Sequence, residues 1–259
     1  MRADLFGKGS AALSGERQTP NRGADALYPG GPRFFDAPGV FRVSTDSVLL
    51  ADFASAGNAL RILDLGCGGG TLMILLAERA PSAKLDGVEI NPEAASLCRR
   101  NIAENGLEAR CRVIEGDLRD ASALPSAGGY DLVVSNPPYF ASGSGRQSPD
   151  DRRAAARSED SCSLSELCAA ARRLTRWGGL FALVHRPERM SEVLCAMSAA
   201  GLEPKRLRMV QHQAHKAPSL FLAEGRRGGK PGLEILPPLL LADEAGRDSE
   251  EIDRIYHRR

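Results

Sequence analysis

Short apolar runs alternate with helical patterns along most of the chain. The runs at 61–65, 84–89, 111–114 and 130–134 are rich in aliphatic residues, and each ends in a polar or glycine-rich turn. Such runs predict buried strands. The leucine spacing after Thr71 and the proline at Pro92 predict that helices begin there. Strands that alternate with helices indicate an α/β fold with a parallel sheet covered on both faces.

The same alternation resumes nearer the C-terminus. Apolar spacing predicts helices over 164–174 and 187–200, with strands at 180–184, 205–210 and 220–224. The last two strands form a predicted hairpin, so the final strand should run antiparallel. Nearer the N-terminus, residues 33–35 and 40–43 predict a small hairpin, and the polar residues at 44–46 provide N-cap oxygens for a helix through Phe53.

Domain boundaries follow from where these patterns begin and end. Residues 1–30 lack apolar periodicity and predict a disordered tail. Residues 31–240 form one predicted domain with a hairpin and helix at its N-terminal end, and 241–259 form a C-terminal tail. The segment 141–161 is rich in Gly, Ser and Arg and predicts a long functional loop inside the domain.

Composition narrows the class of protein. The 259 residues fit one large domain, and 42% hydrophobic and 26% charged residues are ordinary for a soluble globular protein. The net charge of +1 excludes a global polycation, although basic residues exceed acidic ones after residue 150. No apolar stretch is long enough for a membrane span, so we expect no membrane partner. The 6 cysteines include no C-x-x-C pair, and the histidines lack metal spacing, so we expect no metal and a cytoplasmic location.

A glycine-rich turn follows the first strand of the predicted domain. It reads Asp64-Leu65-Gly66-Cys67-Gly68-Gly69-Gly70 and leads into a helix. Free backbone N–H groups at a helix N-terminus suit a nucleotide-type ligand. The dinucleotide fingerprint G-x-G-x-x-G fails, because Thr71 occupies its sixth position. The D-x-G-x-G-x-G form resembles motif I of class I S-adenosylmethionine methyltransferases, which implies that Gly66, Gly68 and Gly70 hold the cofactor's methionine end and that Asp64 supports the loop.

Two further acids close the next strands. Glu89 stands where an acid can accept both ribose hydroxyls of a nucleotide cofactor. Asp117 follows the third strand, where it can accept the adenine amino group while Leu118 supplies a backbone N–H. Either acid alone can be a helix or turn cap. Their joint placement at the carboxyl ends of strands predicts a binding site there.

The fourth strand leads into Asn136-Pro137-Pro138-Tyr139. Prolines stiffen this turn and remove donors, which leaves the Asn136 side-chain carbonyl and the Pro137 backbone carbonyl as acceptors. Together they can take both hydrogens of a planar amine and direct its lone pair at a methyl donor, while Tyr139 stacks on the substrate. Catalysis then consists of positioning and electrostatics. The alternative is that the two prolines form a turn with a structural role alone.

The tetrapeptide resembles amino-methyltransferases that act on adenine N6, on guanine N2 or on a glutamine side chain. Longer stretches resemble the bacterial tRNA adenine-N6 methyltransferase family over roughly residues 28–240. The stretches are Thr45-Asp46-x-x-Leu49-Leu50, Arg186-Pro187-Glu188-Arg189 and Glu224-Gly225-x-x-Gly228-Gly229-Lys230. This resemblance implies S-adenosylmethionine as cofactor, a cofactor role for Asp46, and a Rossmann-like class I fold. That fold is a seven-stranded, mostly parallel sheet with an antiparallel last strand.

Basic residues indicate RNA as the partner, and the resemblance implies that this RNA is tRNA. Phosphate contacts from cations give affinity, and an aromatic side chain such as Phe140 can stack on an unstacked base. The candidate RNA contacts are Phe140, Arg152, Arg153, Arg157, Arg226, Arg227 and Lys230. For any single arginine the alternative is a solvated surface charge.

Three other functions stay open from the sequence. A protein glutamine N5-methyltransferase or an rRNA guanine N2-methyltransferase would share the N-P-P-Y turn. A methyltransferase-fold RNA-binding module without activity would not need the set Asp64, Glu89, Asp117 and Asn136. The sequence does not indicate an oligomeric state.

Overall fold

The computed structural model describes residues 24–35, 43–138 and 162–257. The strands are β1 (Asp25–Ala26), β2 (Arg33–Phe34), β3 (Arg61–Leu65), β4 (Lys84–Glu89), β5 (Cys111–Glu115), β6 (Tyr130–Ser135), β7 (Thr175–His185), β8 (Leu202–Gln211), β9 (Pro218–Arg227) and β10 (Glu234–Leu240). The helices are α1 (Thr45–Phe53), α2 (Thr71–Arg79), α3 (Pro92–Glu104), α4 (Leu164–Leu174), α5 (Met190–Ala199) and α6 (Glu250–Ile255), with a 3₁₀ turn at Pro187–Arg189.

The main sheet of the described residues has the strand order β10-β8-β9-β7-β6-β3-β4-β5. Strands β3 to β7 pair in parallel, and β9 runs antiparallel to both β7 and β8. The mostly parallel sheet and its antiparallel hairpin strand were predicted, and both are confirmed.

The predicted number of strands was wrong. Strand β10 adds an eighth strand, parallel to β8, so the antiparallel strand is not the last one. Its Pro237 and Pro238 argued against a strand, because proline cannot donate to a ladder. At the sheet edge β10 pairs on one side only, and its register shifts between Leu236 and Leu239, which accommodates both prolines.

Hydrophobic residues are buried on both faces of the sheet. One cluster joins α1, α2 and α6 through residues such as Leu49, Leu76 and Ile252. The other joins α4 and α5 through Leu167 and Val193. Since α6 lies in the segment 241–259 that was predicted as a tail, its buried apolar face shows that this segment packs on the domain.

The N-terminal segment packs against α3. Asp25 and Ala26 pair with Phe34 and Arg33, and the Phe35 backbone N–H donates to Asn101 Oδ1 at 2.8 Å. Residues 24–30 of the predicted tail therefore belong to the folded domain, and Ala24 is buried. Arg33–Phe34 pairs with a strand that precedes it in sequence. The pairing predicted with residues 40–43 stays a prediction, because residues 36–42 lie outside the described residues.

The strands of the main sheet have two opposite ends, which we call its carboxyl edge and its amino edge. The carboxyl edge is where β3, β4, β6 and β7 end, at Leu65, Glu89, Ser135 and His185. The amino edge is where these strands begin, and where the antiparallel β9 ends at Arg227.

Candidate active site

The glycine-rich loop joins β3 to α2 at the carboxyl edge. Gly66, Gly68 and Gly70 have φ values of 77°, 52° and 85°, which strain any residue with a Cβ. The backbone N–H groups of Gly66 and Cys67 both donate to the Val88 carbonyl, at 2.9 and 3.0 Å. No described atom lies within 4 Å of a Cβ position at Gly66 or Gly68, so a ligand can approach this backbone closely.

Glu89 fastens the loop to the end of β4. Its Oε2 accepts the Gly68 N–H and its Oε1 accepts the Asn91 N–H, each at 2.8 Å. The side chain is almost fully buried. A carboxylate has about four acceptor positions, so each oxygen of Glu89 retains capacity for a ligand hydroxyl.

Asp64 lies beneath the loop in an unusual state. Its side chain is buried, and neither carboxyl oxygen has a hydrogen-bond partner among the described residues. Burial, and then the charge of Glu89, raise the pKa of Asp64 to about 8. Neither oxygen forms a hydrogen bond to the loop among the described residues, and the supporting role of Asp64 stays a prediction. A positively charged ligand at this point would favour the ionised form of Asp64.

Asp117 follows β5, as predicted, and Arg119 holds it. The Arg119 Nε lies 3.0 and 2.9 Å from the two carboxylate oxygens, and Nη2 lies 2.6 Å from Oδ2. These hydrogen bonds lower the pKa of Asp117. The sequence gives no signal for a role of Arg119. Leu118, which lies between Asp117 and Arg119 in the sequence, is partly buried against the second hydrophobic cluster.

Asn136 is held by the first turn of α1. Its Nδ2 donates to Ser47 Oγ at 3.0 Å and to Ser44 Oγ at 3.5 Å. Ser44 is also the N-cap of α1, as predicted, and accepts the Ser47 N–H. Because the amide nitrogen faces these hydroxyls, the carbonyl oxygen Oδ1 is turned elsewhere. Ser47, which is buried, was missed by sequence reasoning since a serine inside a helix carries no signal of this contact.

The neighbouring Ser135 ties this turn to the glycine-rich loop. Its hydroxyl is buried and donates to the Leu65 carbonyl at 2.8 Å. The structure thus brings Asn136 and Pro137 to the same edge as Gly66, Glu89 and Asp64. Asp46 lies in the first turn of α1, beside the serines that hold Asn136.

Other predicted site residues are placed differently. Arg226 and Arg227 end β9, and Lys230 follows them, so all three lie at the amino edge, away from Asn136. The structure does not bring them together with the glycine-rich loop. Tyr139, Phe140, Arg152, Arg153 and Arg157 lie outside the described residues.

The described residues contain no group of three His, Cys, Asp or Glu side chains placed to hold a metal ion. Their helices are also too short or too polar for any of them to cross a membrane.

Comparison with known proteins identifies relatives of this chain. The family model "Methyltransferase small domain" matches residues 32–198. A tRNA1(Val) (adenine(37)-N6)-methyltransferase of Porphyromonas gingivalis is 36% identical over 191 residues, covering 71% of this chain and 74% of that protein. The enzyme of the same name from Aeromonas salmonicida is 39% identical over 155 residues, covering 60% of this chain and 63% of that protein.

Solved structures share the fold. A crystal structure described as a predicted O-methyltransferase from Agrobacterium tumefaciens has a TM-score of 0.68 at 20% identity, covering 82% of this chain and 96% of that one. A geranyl diphosphate C-methyltransferase from Streptomyces coelicolor, solved with S-adenosyl-L-homocysteine, has a TM-score of 0.52 at 16% identity, covering 70% of this chain and 74% of that one. These likenesses confirm the predicted Rossmann-like fold.

Proposed function

The chain belongs to the methyltransferase small domain family, and we propose that it transfers a methyl group to the N6 amino group of an adenine in tRNA. Family membership confirms two predictions, that the chain is a methyltransferase and that its cofactor is S-adenosylmethionine. The support for adenine and for tRNA is the name that relatives with 35–39% identity carry.

The residues of the site fit S-adenosylmethionine. When bound, this cofactor supplies an electrophilic methyl group on a positively charged sulfur. The open backbone at Gly66 and Gly68 admits a closely held ligand, and the oxygens of Glu89 suit ribose hydroxyls. Asp64 has no partner in its buried position, and its negative form would be favoured by a cationic ligand nearby.

The observation that carries the choice of an amino acceptor is the orientation of Asn136. Its amide nitrogen is bound to Ser47 Oγ at 3.0 Å, so its Oδ1 serves as the acceptor for a substrate hydrogen. Pro137 has no N–H, and its carbonyl provides a second acceptor in the same turn. Two acceptors match the two hydrogens of an exocyclic amine.

These acceptors assist methylation by orienting the nitrogen. In a planar aromatic amine the lone pair is delocalised into the ring, which makes the nitrogen a poor nucleophile. Hydrogen bonds from both N–H groups to Asn136 and Pro137 favour a pyramidal nitrogen and aim its lone pair at the methyl group. This contribution is positional and electrostatic, so a charged base at this point is unnecessary.

Methyl transfer to purified RNA tests the proposal. Wild-type protein and Asn136→Ala are incubated with isotopically labelled S-adenosylmethionine and unmodified tRNA, and calorimetry measures S-adenosylhomocysteine binding to both. We expect labelled tRNA with the wild type, and at least a hundredfold slower transfer by the variant, since the loss of an oriented transition-state contact costs roughly this much. Cofactor affinity should be nearly unchanged, because Asn136 is assigned to the acceptor.

Other results would redirect the assignment. A release factor that is labelled when tRNA is not would favour the glutamine N5 alternative. A protein that binds S-adenosylhomocysteine but labels neither substrate would contradict the proposed acceptor. A large loss of cofactor affinity in Asn136→Ala would contradict the role of Asn136.

A further inference from the structure

A cluster of cations at the amino edge has no role in the site described above. We call it, together with Trp177, the amino-edge surface: Arg172, Arg173, Trp177, Arg226, Arg227 and Lys230. Arg172 and Arg173 lie in the last turn of α4, while Arg226 and Arg227 end β9. The family-like stretch that contains Gly228 and Lys230 thus lies far from the chemistry.

Backbone oxygens, rather than carboxylates, are the partners of three of these cations. Arg173 donates to Ala121 O at 3.3 Å, Arg226 donates to Gly178 O at 3.0 Å, and Arg227 donates to Thr175 O. Within the described residues, none of the five cations forms an ion pair. Like charges gathered without counter-charges repel one another, so an anionic partner would be stabilised here.

The nearby acids do not neutralise the surface. Asp131 is paired with Arg176, which lies beside the surface. Glu203 stands opposite Arg226 in the β8–β9 register, but Lys205, from the same strand, offsets its charge. The net charge of this region is therefore positive.

Trp177 is exposed in the middle of these cations. Its relative exposure is 71%, although tryptophan is usually well buried. The ring lies directly on Gly228, where a Cβ would come within 2.4 Å of a ring carbon. Gly228 also has φ +71°, so only glycine fits well at this position. The backbone thus supports one face of the indole and fixes the side chain in an exposed position.

We propose that the amino-edge surface binds a second part of the same tRNA, with one base stacked on Trp177 and phosphates on Arg226 and Lys230. An aromatic platform among cations is the arrangement that binds unstacked bases together with their backbone. This inference rests on the proposed function, because it takes tRNA as the substrate.

The distance between the two edges suits an RNA stem. Strand β6 joins them, running from Tyr130 at the amino edge to Ser135 beside Asn136. The six residues of β6 span five rises of about 3.3 Å each, so the two edges are about 17 Å apart. RNA stems are A-form and rise about 2.8 Å per base pair, so a stem of about six base pairs covers this distance. A target base at Asn136 and a contact at Trp177 can therefore belong to one folded RNA.

Binding measurements on RNAs of two lengths test this inference. The proteins are the wild type, Trp177→Ala and the double variant Arg226→Gln/Lys230→Gln. The matched control is Arg33→Gln/Arg99→Gln, which removes the same charge from two exposed arginines that are paired with Glu104 and Glu115. Fluorescence anisotropy measures affinity for full-length tRNA and for a hairpin with a three-base-pair stem, at several salt concentrations. Methyl transfer to tRNA is measured in parallel.

Trp177→Ala should bind full-length tRNA about tenfold more weakly, which is the effect of one lost base stack. The double variant should lower the slope of log affinity against log salt by about 1.5, since each phosphate contact contributes about 0.7 to 0.9. Both should bind the short hairpin like the wild type and keep its kcat at saturating tRNA. The control double variant should retain the slope of the wild type.

Unchanged tRNA affinity and salt slope in both amino-edge variants would overturn the inference. The surface would then belong to another partner, such as an acidic protein, while methylation of tRNA by the wild type would leave the proposed function intact. Equal weakening on the short hairpin would also overturn it, because the contact would then lie near the target base. Absence of tRNA methylation by the wild type would instead contradict the proposed function.

Discussion

Replacement of Asp64 by asparagine should change how stability depends on pH. The carboxyl of Asp64 is buried without a hydrogen-bond partner, and its pKa is raised from 3.8 to about 8. Between these values the folded protein holds a proton that the unfolded chain has released. The wild type therefore loses stability as pH rises, by about 1.4 kcal/mol per pH unit.

Asparagine has a similar shape and does not titrate, so the stability of Asp64→Asn does not fall in this way as the pH rises. From pH 5 to pH 7, the free energy of unfolding of the variant should rise relative to the wild type by about 2.7 kcal/mol. Urea unfolding of the cofactor-free proteins at the two pH values measures this difference. Comparison across pH cancels the fixed cost or gain of the amide itself.

Asp52→Asn provides the matched control. Burial opposes ionisation of Asp52, but hydrogen bonds and charges from Arg254 and Arg79 outweigh it and lower the pKa of Asp52 below 3.8. Asp52 is thus ionised in both folded and unfolded chains from pH 5 to 7, and its variant should differ from the wild type by a constant amount. If Asp64→Asn also differed by a constant amount, the Asp64 carboxyl would be ionised in the folded protein and the reasoning would be refuted.

Three further substitutions probe the site and its framework. Ser47→Ala removes the hydrogen bond that orients the Asn136 amide, so kcat should fall up to about tenfold, while the KM for tRNA and the S-adenosylhomocysteine affinity stay unchanged. Arg119→Gln frees Asp117, so calorimetry should show S-adenosylhomocysteine binding up to about fivefold more tightly, because an exposed ion pair competes only weakly with a ligand. Glu224→Ala removes a buried carboxylate and should lower the free energy of unfolding, measured in urea, by about 3 kcal/mol.

Each of these three predictions has a control or an outcome that would contradict it. Ser44→Ala removes the α1 cap and should lower the melting temperature more than Ser47→Ala does, with less effect on kcat. For Arg119→Gln, S-inosylhomocysteine lacks the amino group that Asp117 would accept, so its affinity should not improve. Weaker S-adenosylhomocysteine binding would show that Arg119 itself holds the cofactor. Stability unchanged in Glu224→Ala would contradict a structural role for its bonds to Ser55 and Arg206.

The parts of the fold that the sequence predicted well are bounded by strong local signals. The strand Arg61–Leu65 ends at the glycine-rich loop, and α2 (Thr71–Arg79) begins immediately after it, both as predicted. Helix α3 begins at Pro92 because proline suits the first helical turn. Strand β10 was missed, since its two prolines oppose a strand everywhere except at an edge.

Within the site, single residues were easier to find than their partners. Glu89, Asp117 and Asn136 were identified because each follows a strand at the carboxyl edge. Ser47 and Arg119 were missed, because their contacts depend on tertiary distances that leave no periodic or motif signal. The position of Arg226 and Arg227 could have been deduced from the sequence. The predicted antiparallel direction of their strand already places them at the opposite edge.

The family-like stretch beginning at Glu224 also has a different meaning in the structure. Glu224 is buried and binds Ser55 and Arg206, so it fastens α1 to β8 and β9. Gly228 supports the exposed Trp177. The stretch therefore combines a buried structural contact with an exposed surface, and neither part touches the methyl acceptor.

Mass spectrometry of the nucleosides from treated tRNA tests the central claim most directly. Unmodified tRNA is incubated with the wild-type protein and deuterated S-adenosylmethionine, then digested to nucleosides. The orientation of Asn136 and the names of the relatives predict N6-methyladenosine that carries the deuterated methyl group, formed at least about a hundredfold more slowly with Asn136→Ala. A label found only on guanosine N2, on a ribose oxygen or in no nucleoside would contradict the claim that this site methylates adenine N6.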